Sequence, residues 1–181
     1  MKAILIIDIC KERLHYYEFV KPVENIVKNA RKKYVVRPYK KLKKKDLDNS
    51  EKIIICGTSL HDNEFVKDIE KFSWLFTFNK PVFGICGGMQ ILGLVYGGKL
   101  KKKTEIGFYK EKFTKSFLGL AGEAEVYHLH NYHVVFPSVF DVFSVSKSGV
   151  MQAVQHQKNE LYGVLFHPEV RNKQMIENFI R

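Results

Sequence analysis

Residues 81–93, PVFGICGGMQILG, constrain the fold of this chain more than any other stretch. An apolar, strand-like run ends at Ile85, a single cysteine follows, and Gly87 and Gly88 open a segment with helical spacing of Met89, Ile91, Leu92, Leu94 and Val95. A strand that passes directly into a helix needs a tight turn, and glycines on both sides of Cys86 relieve its crowding. A thiol on that turn sits near a helix N-terminus, where free amides and the helix dipole favour a thiolate. The backbone N–H of Gly87 would then point to where an oxyanion could form. G-x-C-x-G on its own also fits a buried turn in which cysteine is a small apolar filler, so the surrounding chain must discriminate.

The flanking pattern is that of an α/β protein. Residues 2–8 and 52–56 are short β-branched runs expected as strands buried on both faces, and residues 80–85 behave alike behind Pro81. Between them, Tyr16, Phe19, Val20, Val23, Ile26, Val27 and Ala30 form one helical stripe, with Pro22 at a helix start or break, and Phe65, Val66, Ile69, Phe72 and Trp74 form another. Strand and helix in alternation predict a doubly wound, flavodoxin-like parallel sheet with right-handed crossovers. From Gly98 to about Val164 the pattern changes to short alternating runs at 125–129, 134–136, 143–145, 150–155 and 161–166, expected as an added small antiparallel sheet. A helix over 172–180 closes the chain, and residues 1–181 contain no linker, repeat or low-complexity tract, so one domain is expected.

Composition excludes several classes. The chain is 45% hydrophobic and 27% charged, with no apolar stretch long enough to cross a bilayer. MKAILIID reads as a first buried strand rather than a signal peptide, because Asp8 closes it and no small-residue cleavage site follows. Cys10, Cys56 and Cys86 lack metal-ligand spacing, so free thiols in a reducing cytoplasm are expected, with no metal. Cys10 and Cys56 are read as buried structural thiols. Much of the net charge of +11 lies in KKLKKK at 40–45 and KLKKK at 99–103, read first as solvated loops and helix faces and second as a docking face for an acidic partner. No aromatic RNA-binding motif, Cys/His finger or arginine stripe points to nucleic acid. Gly93, Gly98 and Lys99 satisfy the start of a phosphate-binding loop, but Leu100 stands where the magnesium-binding hydroxyl belongs.

A nucleophilic cysteine needs a base, and the base needs an orienting partner. Of the seven histidines, His167 stands out in YGVLFHPEV, at the end of a strand-like run and two residues before Glu169. In extended chain those two side chains face one side, which would let the carboxylate hold the imidazole in its productive tautomer. His128 and His133 are expected as exposed loop residues flanking the site.

FGICGGMQILG together with YGVLFHPEV resembles the class I, triad-type glutamine amidotransferases, and the likeness runs over essentially the whole chain. It implies that Cys86 attacks the side-chain amide of glutamine, that His167 serves as base and then acid, and that Glu169 orients it. The γ-glutamyl thioester is then hydrolysed, releasing glutamate and ammonia. The likeness also implies an oxyanion hole from the backbone of Gly57, Thr58 and Gly87, and a substrate pocket involving Gln90, Asn131 and Tyr132. The tail looks most like the free-standing glutaminase subunit of archaeal-type GMP synthetase, with His130 of LHNYHVV in its histidine position and Tyr132 where that pattern has aspartate. The family implies a separate synthetase partner that carries ATP and magnesium and captures the ammonia; no cofactor is expected in this chain. Two other outcomes fit the same residues: a stand-alone γ-glutamyl hydrolase, or a catalytically weakened regulatory paralogue.

Overall fold

The computed structural model of the chain describes residues 2–181. Strands β1 (Ala3–Asp8), β2 (Tyr34–Pro38), β3 (Ser50–Ile55), β4 (Val82–Ile85) and β9 (Leu161–Val164) pair in parallel. Strands β5 (Lys99–Phe117), β6 (Leu120–Val135), β7 (Phe140–Val145) and β8 (Met151–His156) add the antiparallel part. All nine join in one sheet, in the order β2-β1-β3-β4-β9-β8-β7-β5-β6. The expected antiparallel addition is therefore hydrogen-bonded onto the parallel strands through β9 and β8.

The strands expected from β-branched runs form because both faces of the sheet are covered. In β1, Ile4 and Ile6 pack with Val23 and Val27 of α2 (Lys21–Asn29) and with Ile176 and Phe179 of α6 (Gln174–Ile180). Leu5 and Ile7 point the other way, into a cluster with Phe65 of α4 (Glu64–Lys67), Phe72 of the 3-10 segment Ile69–Phe76, and Ile91 and Leu92 of α5 (Gly87–Val95). Successive residues of β1 thus serve opposite layers, as the two-residue period of a strand requires. The stripe beginning at Tyr16 is not one α-helix. It runs from a single turn, α1 (Arg13–His15), through a π-helical turn, Tyr16–Val20, into α2. Pro22 lies in the first turn of α2 and has no N–H to continue the ladder backwards, which accommodates the widened turn before it.

Departures from the sequence pattern concentrate in the second half. Strand β5 extends over 19 residues, and the runs expected at 125–129 and 134–136 fall on the single strand β6, apart from Phe136 just past its end. Backbone pairing from Lys99↔Val135 to Phe117↔Leu120 carries these strands through residues with no alternation of their own. The basic run at 99–103 consequently lies on a strand rather than on a loop or helix face; Lys101, Lys102 and Lys103 are exposed on it. The run at 40–45 covers a 3-10 turn (Tyr39–Lys41) and the start of α3 (Lys44–Asp48), with Lys40 paired to Glu64 at 2.8 Å.

Helix α5 approaches the sheet backbone to backbone. A Cβ on Gly88 would lie 2.2 Å from the Ile55 carbonyl oxygen, and one on Gly84 would lie 2.5 Å from the Gly88 carbonyl carbon. Neither neighbour can give way, because both are main chain. Gly88→Ala is therefore expected to lower the unfolding free energy by about 3 kcal/mol, read from denaturant titration. Unchanged stability would show that α5 can stand off from β3 without cost.

Candidate active site

The close approach of α5 forces the chain to reverse over one residue, and that residue is Cys86. Its φ of 50° and ψ of −104° lie in a region L-residues rarely occupy, a conformation that costs about 1–3 kcal/mol. The turn is held on both sides: the Cys86 N–H donates to the Val164 carbonyl at 2.7 Å, and its carbonyl accepts from the Gln90 N–H at 3.0 Å. The side chain is buried, and the thiol donates toward the Leu129 carbonyl, 3.7 Å from Sγ.

The imidazole of His167 meets the same point from the end of β9. Its backbone N–H donates to the Tyr127 carbonyl at 2.8 Å, and Nδ1 is 2.7 Å from Glu169 Oε1. The expected contact between residues two apart is present, but it is made in a turn and not in extended chain. The strand ends at Val164, and Pro168 begins a turn closed by the Val170 N–H on the His167 carbonyl at 3.2 Å. Nδ1–H donation to Glu169 leaves Nε2 as the ring nitrogen that can exchange a proton with its surroundings, and among the described residues Nε2 is buried without a formed hydrogen bond. Burial works to lower the His167 pKa; the Glu169 carboxylate and the Cys86 sulfur beside the ring outweigh it and hold the value well above that of an ordinary imidazole. The ring of Phe19, from the π-helical turn, packs on the imidazole at 5.4 Å between centroids. Gly57 makes the meeting of thiol and imidazole possible: a Cβ there would lie 2.8 Å from His167 Cε1 and 3.2 Å from Cys86 Cβ.

A cavity of about 20 Å³ lies in front of Cys86, space for about one water. Thr58 and Gly87 border it, as do Gln90, Asn131 and Tyr132, so the residues expected around the substrate converge on one place. Gly57 stands behind them, beneath the imidazole. Two hydrogen bonds join residues of the cavity wall: Gln90 Nε2 donates to the Tyr132 carbonyl at 2.8 Å, and Asn131 Nδ2 to the Leu60 carbonyl at 3.2 Å. Asp62, to which the sequence pattern attached no role, also lines the cavity. Its Oδ2 accepts from the Lys11 N–H at 2.5 Å and from the Thr58 hydroxyl at 2.8 Å.

Behind Leu129 lies a buried polar network that corrects the expectation for His128. This residue is fully buried on β6 and is not an exposed loop histidine, while His133 is half-buried. The reason is cross-strand register: Glu105 of β5 pairs with His130, next to a bulge, and Gly107 pairs with His128. Glu105 Oε2 is 3.0 Å from His128 Nδ1 and 3.1 Å from His130 Nε2, and it accepts from Gln152 Nε2 at 2.8 Å. Its Oε1 accepts from the hydroxyls of Ser146 and Ser148 at 3.1 and 2.6 Å. Glu105, His128 and His130 offer ligand-type atoms within 4.8 Å of one another, a donor set a divalent metal takes, but here the shared oxygen is occupied by those hydrogen bonds. Of the other thiols, Cys56 is fully buried and Cys10 is half-buried, with Sγ 3.8 Å from the Gly57 carbonyl; burial pushes both thiol pKa values up. All three cysteines are free.

The family model for glutamine amidotransferase class-I matches residues 15–181. A GMP synthase (glutamine-hydrolyzing) from Staphylococcus epidermidis is 32% identical over an alignment of 145 residues that covers 74% of this chain and 28% of that protein; one from Staphylococcus aureus matches to the same extent. The chain thus spans a little over a quarter of the length of these relatives. Among solved structures, a candidate GMP synthase subunit from Thermoplasma acidophilum superposes with a TM-score of 0.86 at 22% identity, covering 99% of this chain and 92% of that one. A glutamine amidotransferase from Thermotoga maritima superposes at 0.76 and 18% identity, with 99% and 80% covered. Both structures share the fold.

The network around Glu105 generates a pH dependence. Burial pushes the His130 pKa from 6.5 down to about 4, against the opposing pull of Glu105. The folded chain therefore keeps His130 neutral where the unfolded chain takes up a proton, and acidification from 6.5 toward 4 favours unfolding. Between pH 7 and pH 4.5 this histidine is expected to remove about 2–3 kcal/mol of unfolding free energy. Denaturant titrations at the two pH values should show that component in the unsubstituted chain and its loss in His130→Asn. The same acid loss in both chains would place the sensitivity elsewhere.

Proposed function

Since this chain belongs to the class I glutamine amidotransferase family, we propose that it opens the side-chain amide of glutamine and supplies the ammonia to a separate ATP-dependent synthetase. The observation that carries this is the Nδ1–Oε1 pair of His167 and Glu169, 2.7 Å apart, set beside a thiol on a strained turn. Glu169 holds the proton on Nδ1, so Nε2 faces the thiol as a base made stronger by its carboxylate neighbour.

In the proposed reaction the Sγ–H proton passes to His167 Nε2 as Sγ forms a bond to the amide carbon. The amide oxygen takes up the negative charge, toward the backbone N–H groups of Gly87 and of the Gly57–Thr58 loop. His167 returns the proton to the departing nitrogen, the carbon–nitrogen bond breaks, and ammonia leaves a γ-glutamyl thioester on Cys86. Water then loses a proton to His167 and attacks the thioester carbon. Collapse releases glutamate and restores the thiol. In this proposal glutamine enters beside Gln90 and Asn131, whose side-chain amides exchange the Tyr132 and Leu60 carbonyls for the substrate.

The likeness to GMP synthases favours a GMP synthetase, or a divergent paralogue of one, as the recipient, with ATP and magnesium bound there. The exposed lysines of the 99–103 run form a face on which such a partner would dock.

Cys86→Ala is expected to abolish ammonia release from glutamine, and Glu169→Gln to lower kcat by about 100-fold or more, both with unchanged thermal melting. The assay is run with the chain alone and with candidate synthetases present. Turnover that survives Cys86→Ala, or no turnover under any of these conditions, would overturn the proposal. Turnover of γ-glutamyl peptides that needs no synthetase would favour a stand-alone hydrolase.

A further inference from the structure

Asp62 is the one carboxylate among the described residues that line the cavity in front of Cys86. Its neighbours there are neutral side chains, including Thr58, Gln90, Asn131 and Tyr132, and His130 is held neutral down to about pH 4. The two oxygens of Asp62 are in different situations. Oδ2 is fixed by the Lys11 N–H, following β1, and by the Thr58 hydroxyl, with His15 Nδ1 3.7 Å away. Oδ1 is buried and has no hydrogen-bond partner among the described residues, and the side chain as a whole is 3% exposed. A buried, unsatisfied polar atom is uncommon, and its desolvation is a standing cost to the fold unless a ligand relieves it.

We propose that Asp62 is a specificity-determining residue whose Oδ1 receives the α-ammonium group of the substrate, so that the site selects an L-α-amino acid amide over a plain amide. The proposal rests on the glutaminase reading above and names the substrate feature that this site reads. Glutamine carries one cationic group, and the cavity wall offers one carboxylate, whose orientation is set from two separate segments of chain. The α-carboxylate of the same substrate would fall to the amide donors Gln90 Nε2 and Asn131 Nδ2, which now hold the carbonyls of Tyr132 and Leu60. An anion whose orientation is already fixed through one oxygen loses little further freedom when a cation reaches the other, because the fold has already ordered it.

The test is the rate at which Cys86 is alkylated by two probes, followed by intact-protein mass. One is the diazomethyl ketone analogue of glutamine; the other is the same diazoketone without its α-amino group. In each case a carbon–sulfur bond forms, dinitrogen leaves, and the thiol proton ends on the former diazo carbon. Asp62→Asn keeps an oxygen for Lys11 and Thr58 and removes the charge. It is expected to slow labelling by the amino-bearing probe about 10- to 100-fold, the loss of one charge-assisted hydrogen bond, and to leave labelling by the other probe unchanged. Asp62→Glu, which restores the charge, is expected to recover part of the preference. Equal slowing with both probes would mean that Asp62 only supports the loop, and no slowing with either would mean that it faces no substrate; each result overturns the proposal. If neither probe labels the unsubstituted chain, the glutaminase reading falls and the role of Asp62 falls with it. Normal labelling without discrimination removes Asp62 alone.

Discussion

The main-chain contact between Gly88 and the Ile55 carbonyl is the constraint from which the site follows. Helix α5 reaches the sheet only because no side chain stands between them, and the 2.2 Å that a Cβ would leave allows no substitute. Held that close, the chain between β4 and α5 has one residue in which to reverse, so Cys86 takes a positive φ and its side chain is pushed out of the turn. The opposite wall is placed by sheet order. Strand β9 lies beside β4, which brings His167 to Cys86, and the Tyr127 carbonyl of β6 takes the His167 N–H. Gly57 then leaves the gap in which imidazole and thiol meet.

Around this centre the fold handles buried charge by pairing it, as low dielectric requires. His167 has Glu169, and Glu105 is shared among two histidines, a glutamine and two serines. The Glu105 network lies directly behind the strand segment whose carbonyls, those of Leu129 and Tyr132, receive the Cys86 thiol and the Gln90 amide. His130 belongs both to that network and to the cavity wall. Asp62 and Glu169 each keep a second carboxylate oxygen that is buried without a hydrogen-bond partner among the described residues, and Asp62 is the one that lines the cavity.

The parts of the fold legible in the sequence are those with a local signal. β-Branched runs marked β1, β3 and β4, helical spacing marked α2 and α5, and the glycines around Cys86 marked the elbow, because each pattern depends on residues a few positions apart. Where pairing was non-local the signal was absent. β5 is mostly charged and shows no clean alternation, so its 19 residues became a strand only through the ladder to β6. The same ladder buries His128, which in isolation looks like any polar loop residue.

The candidate site divides in the same way. Two of its features are written in the chain itself: a cysteine on a glycine-relieved turn at a helix start, and a His-Pro-Glu turn after a late strand. Both are set by residues adjacent to one another. Three others arise only on folding: Phe19 packs on His167, Glu105 bonds the histidines behind Leu129, and Asp62, with one unpaired oxygen, joins the cavity lining. Those contacts join segments tens of residues apart. Their geometry is fixed by strand order and by the exclusion of water, and no periodicity in the chain records either.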